Sequence, residues 1–249
     1  MDKAKILFCT PVALGWNRVE FTLSILGSAL ALARAGHDMA FMMDESGSIV
    51  RSRNMGAAHI LNNQEYTHLA FSDADMSWEP KEAFLHMLEA DEPVVCGTYV
   101  TKWGSPRWCM HTHGNPRDVK PNEKGLVPLL DAPTGLMLVR RDALEALAKG
   151  RPDLKINFDS MVEHPDHPDG LYEPGTYLFF DARRSTRGKQ GHYVSDDYGF
   201  SENYESIGGE IWAYPWTTIS HYYTQANTAN LGEWLESIGV KGLKKPVTP

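Results

Sequence analysis

Two carboxylates follow an apolar segment in the first third of the chain. Asp73 and Asp75 come directly after residues 68–72, a predicted strand. They therefore lie at its carboxyl end, which is where open α/β sheets bind their ligands. An Asp-x-Asp turn can direct oxygen atoms towards a hard divalent cation such as Mg²⁺ or Mn²⁺. A cation held there would bind a diphosphate and stabilise it as a leaving group. A solvated turn with an aspartate helix cap explains the same two residues, so the pair alone leaves both interpretations open.

Histidines and a cysteine provide further candidate metal ligands. His221 ends a short predicted strand, and its neutral imidazole could complete a site that contains Asp75, although a packed or surface histidine is the simpler reading. Cys109, His111 and His113 fall on one face of an extended segment and would suit Zn²⁺, but no fourth ligand stands at a recognised spacing.

A proline-rich segment contains a second histidine pair. His164 and His167 alternate there with prolines and aspartates. We expect both to be solvated.

Charged residues at two predicted helix starts could also take part in chemistry. Asp196 and Asp197 suit the capping of free N–H groups, and one of them could instead act as a general base for an acceptor hydroxyl. Arg51 and Arg53 suit phosphate binding, and a solvated helix face explains them equally well.

Alternating strands and helices position these residues in the first half of the chain. Apolar patterns predict strands at 6–12, 37–43, 68–72 and 93–100 and helices at 17–35, 48–62 and 80–90. This alternation predicts an α/β fold with a central, mostly parallel sheet and helices on both faces.

The second half is less regular. The patterns predict strands at 135–140, 211–214 and 218–221 and helices at 141–149, 197–207 and 231–238. Residues 102–131 show little periodicity and could be a loop or a small excursion near the sheet edge. Residues 151–195 hold many prolines, glycines and charges, and a stretch this long and irregular is typical of functional lids and mobile loops. No linker separates two domains, so we predict one domain over 1–249.

Composition narrows the class of protein. The chain has 24 Lys and Arg against 32 Asp and Glu, a net charge of −8, which argues against a general attraction for nucleic acid or anionic lipid. Three cysteines fit a reducing compartment, and the longest apolar-rich stretch, 21–35, is too short and too polar to span a bilayer. We expect a cytoplasmic protein. No isolated apolar surface helix stands out, so no oligomeric state is predicted.

Several segments, taken together and in order, resemble the GT-A fold glycosyltransferases, and most of all the small phage- and virus-encoded members, which are distantly like the fungal mannan-synthesis enzymes. The resemblance covers most of the chain. The segments are 6–11, 52–58, 67–76, 94–99 with Lys102, 134–141, 179–181, 195–200, 208–213 and His221.

The resemblance implies a nucleotide-binding half, 1–100, and an acceptor-binding half, 101–249. It implies a metal-dependent transfer of a sugar from a nucleotide-diphosphate sugar, with a UDP-sugar favoured, to an acceptor hydroxyl. Asp75 and His221 would bind Mn²⁺ or Mg²⁺, and Asp73 would contact the metal or the ribose. The remaining donor contacts would come from Thr10, Pro11, Arg51, Arg53, Lys102 and Gly135.

The acidic pair departs from the pattern of this group. The pair usually reads Glu-Asp, and here it is Asp196–Asp197. Because the first acid is shorter by a methylene, we favour Asp197 over Asp196 as the catalytic residue. It would act as the base if the reaction inverts and would orient the donor if the reaction retains; the sequence favours neither stereochemistry.

Two alternatives stay open. One is a nucleotidyltransferase or another enzyme that processes nucleotide sugars; the other is a non-catalytic module that binds nucleotide sugars or glycans. The acceptor could be a glycan, a capsid protein or a hydroxymethylated DNA base of a phage. The net charge weighs against DNA, whereas a basic cluster of Arg183, Arg184, Arg187 and Lys189 weighs for an anionic contact, and a solvated loop explains that cluster equally well.

Overall fold

The protein is described by a computed structural model that covers residues 3–12, 17–45, 47–156, 175–187, 191–223 and 226–245. The strands are β1 (Lys5–Pro11), β2 (Asp38–Asp44), β3 (His68–Ser72), β4 (Met76–Glu79), β5 (Val94–Cys96), β6 (Val127–Leu129), β7 (Leu136–Arg140), β8 (Arg183–Arg184), β9 (Tyr193–Val194), β10 (Ile211–Ala213), β11 (Thr218–Tyr222) and β12 (Ala226–Asn230). The helices are α1 (Val19–Arg34), α2 (Ile49–Asn62), α3 (Ala83–Glu89), α4 (Arg141–Gly150), α5 (Asp196–Glu205) and α6 (Leu231–Ser237).

A seven-stranded sheet forms the centre of the fold, with the strand order β2-β1-β3-β7-β5-β10-β6. β1 pairs in parallel with β2 and β3, and β5 pairs in parallel with β10, whereas β7 and β6 are antiparallel to their neighbours. Five of the seven strands therefore share one direction, which confirms the predicted mostly parallel sheet. Strands from both predicted halves of the chain alternate within this sheet, and the division at residue 100 stays a prediction.

Both faces of the sheet are buried. Along β1, Ile6 and Phe8 belong to one core with Phe21 of α1, while Leu7 and Cys9 belong to the opposite core. This alternation follows from the two-residue repeat of a strand. Helices that cover both faces explain why the strands read as continuous apolar runs rather than as alternating ones.

A second sheet, ordered β12-β11-β4, positions the end of the chain against the Asp-x-Asp turn. β4 begins one residue after Asp75 and pairs antiparallel with β11, so that His221 lies opposite Met76. The Tyr222 N–H donates to the Asp75 carbonyl at 2.9 Å. The sequence analysis predicted neither β4 nor β12, because both are short and lack a periodic apolar pattern.

The predicted elements are present, with shifted ends. The strand predicted at 93–100 is only Val94–Cys96, and the helix predicted at 197–207 begins one residue earlier, at Asp196. The irregular segment 102–131 contributes the edge strand β6. His164, His167 and Lys189 lie outside the described residues. Within the described ranges, no helix is long and apolar enough to cross a membrane.

A glycine in α5 sets how closely that helix approaches the chain around Asp181. A Cβ placed on Gly199 would lie 2.1 Å from the Asp181 carbonyl oxygen. Because the obstructing atom belongs to the backbone, no rotamer change relieves the overlap.

We expect Gly199→Ala to lower the free energy of unfolding by about 1–3 kcal/mol, the usual effect of overpacking a filled site. Urea denaturation measures it. Glu233→Ala, at an exposed position of α6, should change the value by a few tenths of a kcal/mol. Equal stability of the Gly199 variant and the wild type would contradict the described packing of α5.

Candidate functional site

A cavity of about 780 Å³ opens where the parallel strands β1, β2 and β3 end. Its size is that of a small-molecule site. Five residues singled out in the sequence line it, namely Pro11, Asp73, Asp75, Lys102 and His221. The tertiary structure therefore brings together the last residue of β1, two residues that follow β3, one from the irregular segment and one from β11.

Asp75 and His221 face each other inside this cavity. The His221 Nδ1 lies 3.0 Å from the Val100 carbonyl oxygen, which can only accept a hydrogen bond, so Nδ1 carries the proton. In the neutral ring, Nε2 then presents a lone pair, and it lies 3.7 Å from the Asp75 Oδ2. A histidine oriented in this way through its second nitrogen is typical of metal ligands.

Lys102 is the third member of this group. Its ammonium donates to the Asp75 carboxylate. Burial on its own would raise the pKa of Asp75, but the neighbouring His221 and Lys102 outweigh it and lower that pKa below its ordinary value. Asp75 is therefore ionised at neutral pH.

Arg53 lies beneath the cavity and joins two carboxylates. Its side chain is 4% exposed, and Nη1 donates to the Asp196 Oδ2 at 2.6 Å while Nη2 donates to the Asp73 Oδ1 at 3.2 Å. Burial would lower the pKa of Arg53, but the charges of Asp73, Asp196 and Asp197 raise it instead. Burial raises the pKa of Asp73, and Arg53 opposes that shift.

Asp196 and Asp197 have different surroundings although they are neighbours. Asp196 is buried against Arg53. Asp197 is half-buried and accepts hydrogen bonds from the Ser195 hydroxyl and from the Tyr198 N–H at 2.9 Å. Burial raises the pKa of Asp197, and the charge of Arg53 opposes the shift. Of the two carboxylates, Asp196 is hydrogen-bonded to the Arg53 guanidinium and Asp197 is not.

Arg53, Asp196 and Asp197 are not among the residues that line the cavity in the part of the chain that the structure describes. Thr10, Arg51 and Gly135 do not line it either. The Thr10 hydroxyl is buried against the Ser72 hydroxyl at 3.1 Å. The Arg51 N–H donates to the Ser48 Oγ at 3.3 Å at the start of α2. These contacts are structural, and the predicted donor contacts of Thr10, Arg51 and Gly135 stay predictions.

Gly135 instead holds the Asp-x-Asp turn in place. Its carbonyl accepts from the Asp73 N–H at 3.0 Å, and its own N–H donates to the Tyr99 hydroxyl at 3.1 Å. A Cβ there would lie 2.3 Å from the Met76 Cε and 2.5 Å from the Tyr99 hydroxyl oxygen, so these two buried side chains would have to move.

Several cavity residues were missed by the sequence analysis. Asn17, Arg18, Asp44, Ser48 and Ser52 also line it. The Ser52 hydroxyl donates to Asp44, which ends β2. The rule that located Asp73 could have found Asp44, because β2 is parallel to β1 and ends at the same edge of the sheet.

The zinc hypothesis is not supported. In the part of the chain that the structure describes, no group of three or more His, Cys, Asp or Glu side chains is arranged to hold a metal. His111 instead bonds Asp131 through Nδ1 at 2.8 Å. Asp73, Asp75 and His221 do not form such a group of three either. A cation in the cavity would therefore have two facing protein donors, Asp75 and His221, and would need further oxygen atoms from a ligand.

The predicted basic cluster is partly neutralised inside the protein. Arg183 pairs with Glu202 at 3.4 Å, and Arg187 pairs with Asp131 at 2.5 Å. These ion pairs leave the surface at 183–187 less basic than the sequence suggests.

Comparison with solved structures identifies a protein with a similar fold. No family model and no curated protein sequence matches the chain. Among solved structures, A197 from STIV is 12% identical, with 98% of both chains covered and a TM-score of 0.50. A glycosyltransferase involved in the glycosylation of the major capsid of PBCV-1 is 13% identical, covering 59% of this chain and 67% of its own, with a TM-score of 0.32. Mannose-1-phosphate geranyltransferase from Thermus thermophilus is 12% identical, covering 97% and 80%, with a TM-score of 0.41. The similarity to A197 extends along almost the whole chain and concerns the fold alone.

We expect Arg53→Ala to lower the free energy of unfolding by about 3–5 kcal/mol at pH 7, because it leaves Asp73 and Asp196 buried without their partner. The unpaired carboxyls would have higher pKa values in the folded than in the unfolded protein. The folded state then binds more protons, so the loss should shrink as the pH falls towards 5.

Urea denaturation at both pH values measures this loss. Arg140→Ala, which breaks ion pairs to exposed Asp91 and Asp142, is the control and should cost at most about 1 kcal/mol. A loss that is small, or that does not depend on pH, would contradict the role of Arg53 as the buried counter-charge.

Proposed function

We propose that this chain is a metal-dependent glycosyltransferase that transfers a sugar from a nucleotide-diphosphate sugar, with a UDP-sugar as the favoured donor, to an acceptor hydroxyl. The observation that carries the proposal is the facing pair of Asp75 and the His221 Nε2 in a cavity at the ends of parallel strands. The acceptor is a glycan or another hydroxyl, including that of a modified DNA base, and the proposed location is the cytoplasm.

The donor set of the cavity fits a divalent cation that shares its ligands with a diphosphate. Mg²⁺ is usually held by one or two carboxylates together with substrate phosphates. Asp75 and His221 would hold Mn²⁺ or Mg²⁺, with Asp73 at the same edge, and the bound ion would supply positive charge to the leaving diphosphate. The proton that Val100 holds on the His221 Nδ1 keeps Nε2 available for this role.

Lys102 supplies a second positive charge. Its ammonium already lies at Asp75 on the cavity wall. A cation that takes the Asp75 carboxylate would free the ammonium to bind a donor phosphate. The net positive charge that faces a diphosphate would then rise without any movement of the backbone.

Asp197 is the proposed catalytic carboxylate on the acceptor side. Burial raises its pKa, which favours proton uptake from an acceptor hydroxyl in an inverting reaction. In a retaining reaction the same carboxylate would orient the donor sugar. Asp196, which is paired with Arg53, would position the first turn of α5 and not react itself.

We expect UDP with Mn²⁺ to raise the melting temperature of the wild-type protein, and the increase to disappear in Asp75→Asn and in His221→Ala. A thermal-shift series over the common nucleoside diphosphates, with and without Mn²⁺, measures it and identifies the preferred base. Asp118→Asn, in an exposed turn away from the cavity, should keep the full increase.

The products separate the proposal from its alternatives. Release of a nucleoside diphosphate from the donor supports a glycosyltransferase, and release of pyrophosphate would indicate a nucleotidyltransferase. Binding of nucleotide and metal without any turnover would indicate a binding module. No stabilisation by any nucleotide would contradict the proposed donor site.

For an inverting reaction, we expect Asp197→Asn to lower kcat by about 10²–10⁴-fold, because a positioned base contributes that much, with a nearly unchanged KM for the donor. In the wild type the base works only when deprotonated. The activity of the wild type should therefore be present above the raised pKa of Asp197 and should be lost as the pH falls through that pKa.

Steady-state kinetics over pH 4–9 measures this prediction. Asp196→Asn serves for comparison and should mainly reduce stability. An acidic limb of the pH profile that survives in Asp197→Asn would contradict the assignment.

A further inference from the structure

One exposed imidazole outside the cavity is held in a fixed orientation. The His111 side chain is 60% exposed, yet its Nδ1 lies 2.8 Å from the Oδ2 of Asp131, which is buried. The other oxygen of that carboxylate accepts from the Arg187 guanidinium at 2.5 Å. The main chain adds a further bond, because the His111 N–H donates to the Asp131 carbonyl at 3.0 Å. Both the backbone and the ring of His111 are therefore fixed, although the ring is at the surface.

This arrangement leaves one ring nitrogen of His111 open to a ligand. The Asp131 carboxylate, paired with Arg187, can only accept a hydrogen bond, so the His111 Nδ1 carries the proton. In the neutral ring, Nε2 is then a hydrogen-bond acceptor. Within the described ranges, no residue donates a hydrogen bond to Nε2. A side chain fixed by such supporting contacts presents its polar atom in one direction, as binding sites require.

The Tyr198 side chain lies beside this imidazole. The two ring centroids are 5.2 Å apart, and the planes meet at 56°. Burial, followed by the charges of Asp197, Cys109 and Asp131, raises the pKa of Tyr198, so its hydroxyl stays protonated and lies near both carboxylates. In the part of the chain that the structure describes, this hydroxyl makes no hydrogen bond.

Asp197 provides a third open group at the same place, because it directly precedes Tyr198 in the first turn of α5. The hydrogen bonds from the Ser195 hydroxyl and the Tyr198 N–H both reach Oδ1, and no described residue donates to Oδ2. The Asp197 Oδ2, the Tyr198 hydroxyl and the His111 Nε2 are called the polar cluster below. Two of these groups accept hydrogen bonds, and the hydroxyl can donate or accept.

We propose that the polar cluster binds a pyranose ring, so that the molecule which receives the transferred sugar is itself a saccharide. The inference rests on the proposed function, in which Asp197 faces the reactive hydroxyl of that molecule. The reactive hydroxyl of the pyranose donates to Asp197, a neighbouring hydroxyl donates to the His111 Nε2, and the Tyr198 hydroxyl bonds a sugar oxygen. A lone hydroxyl, such as that of a threonine side chain, would satisfy only one of the three groups.

The charges around the polar cluster favour a neutral ligand over a nucleic acid. Asp131 and Asp197 are both carboxylates, and the Arg187 guanidinium beside them is already engaged by Asp131 and Glu205. A phosphodiester at this place would be repelled by the two carboxylates, whereas sugar hydroxyls donate charge-assisted hydrogen bonds to them. The net charge of −8 acts in the same direction.

Saturation-transfer NMR of the full chain with the methyl pyranosides of glucose, galactose, mannose and N-acetylglucosamine tests the proposal. Each is used at about 10 mM, because a few neutral hydrogen bonds provide only millimolar affinity. The spectra are recorded with the protein alone and again with UDP and Mg²⁺. At least one pyranoside should bind, and His111→Ala and Tyr198→Phe should each weaken its binding by roughly three- to tenfold. His113→Ala, an exposed histidine of the same segment, is the matched control and should bind like the wild type.

A conservative variant separates the hydrogen bond of His111 from its packing. In His111→Gln the side-chain amide oxygen can replace Nε2 as a hydrogen-bond acceptor, whereas His111→Leu fills a similar volume without one. The Gln variant should therefore bind the pyranoside more tightly than the Leu variant. Circular dichroism confirms that each variant folds. Equal binding by the two folded variants would overturn the role of Nε2.

Further outcomes would reject a saccharide at this place. Absence of pyranoside binding under both conditions, or binding that His111→Ala and Tyr198→Phe both leave unchanged, overturns the proposal. Binding of a threonine peptide or of an oligonucleotide with hydroxymethylated cytosine, lost in His111→Ala, would assign the polar cluster to that molecule instead.

The pyranoside experiment is independent of the donor site, because the protein alone contains no nucleotide. If no pyranoside binds but UDP with Mn²⁺ still stabilises the protein, this inference fails and the proposed donor site stands. If a pyranoside binds but no nucleoside diphosphate is released from any donor, the proposed transfer fails and the saccharide site stands.

Discussion

The buried guanidinium of Arg53 is the interaction on which the rest of the site depends. It pairs with Asp73 at the end of β3 and with Asp196 at the start of α5, two carboxylates that are far apart in the sequence. Without this positive charge, both would be buried at a large energetic cost. One side chain therefore lets the end of β3 and the start of α5 come together in the protein interior. The adjacent Asp197, which is not bonded to the guanidinium, stays available for chemistry.

Strand pairing brings a residue from near the end of the chain to the Asp-x-Asp turn. β4 leaves the turn and pairs with β11, so His221 is fixed by main-chain register rather than by loop conformation. The Val100 carbonyl then fixes the ring, and Tyr99 packs edge-on against it with 5.0 Å between the ring centroids. A side chain fixed in this way on a strand is positioned more precisely than one on a loop.

The accuracy of the sequence-based predictions followed the strength of the local signal. The apolar runs of β1 and β3 and the amphipathic α4 were located well, because burial on a sheet imposes a pattern that spans several residues. β4 and β12 escaped detection, since their pairing depends on partners far along the chain. Arg53 was predicted to reach phosphate. Its burial between two carboxylates could not be read from its neighbours in the sequence, because the residue that completes the pair, Asp196, lies 143 positions away.

By itself, the sequence determined the alternation of strands and helices, and with it an α/β fold in which Asp73 and Asp75 stand at the carboxyl end of a strand. Local periodicity suffices for this, because each element buries a face that its own residues define. Only the tertiary structure decided that His221 faces Asp75, that Asp197 rather than Asp196 is left without the guanidinium, and that the outer side of α1 stays exposed. These facts depend on which distant segments pack together, and an apolar stripe reads the same in a sequence whether the chain buries it or leaves it exposed.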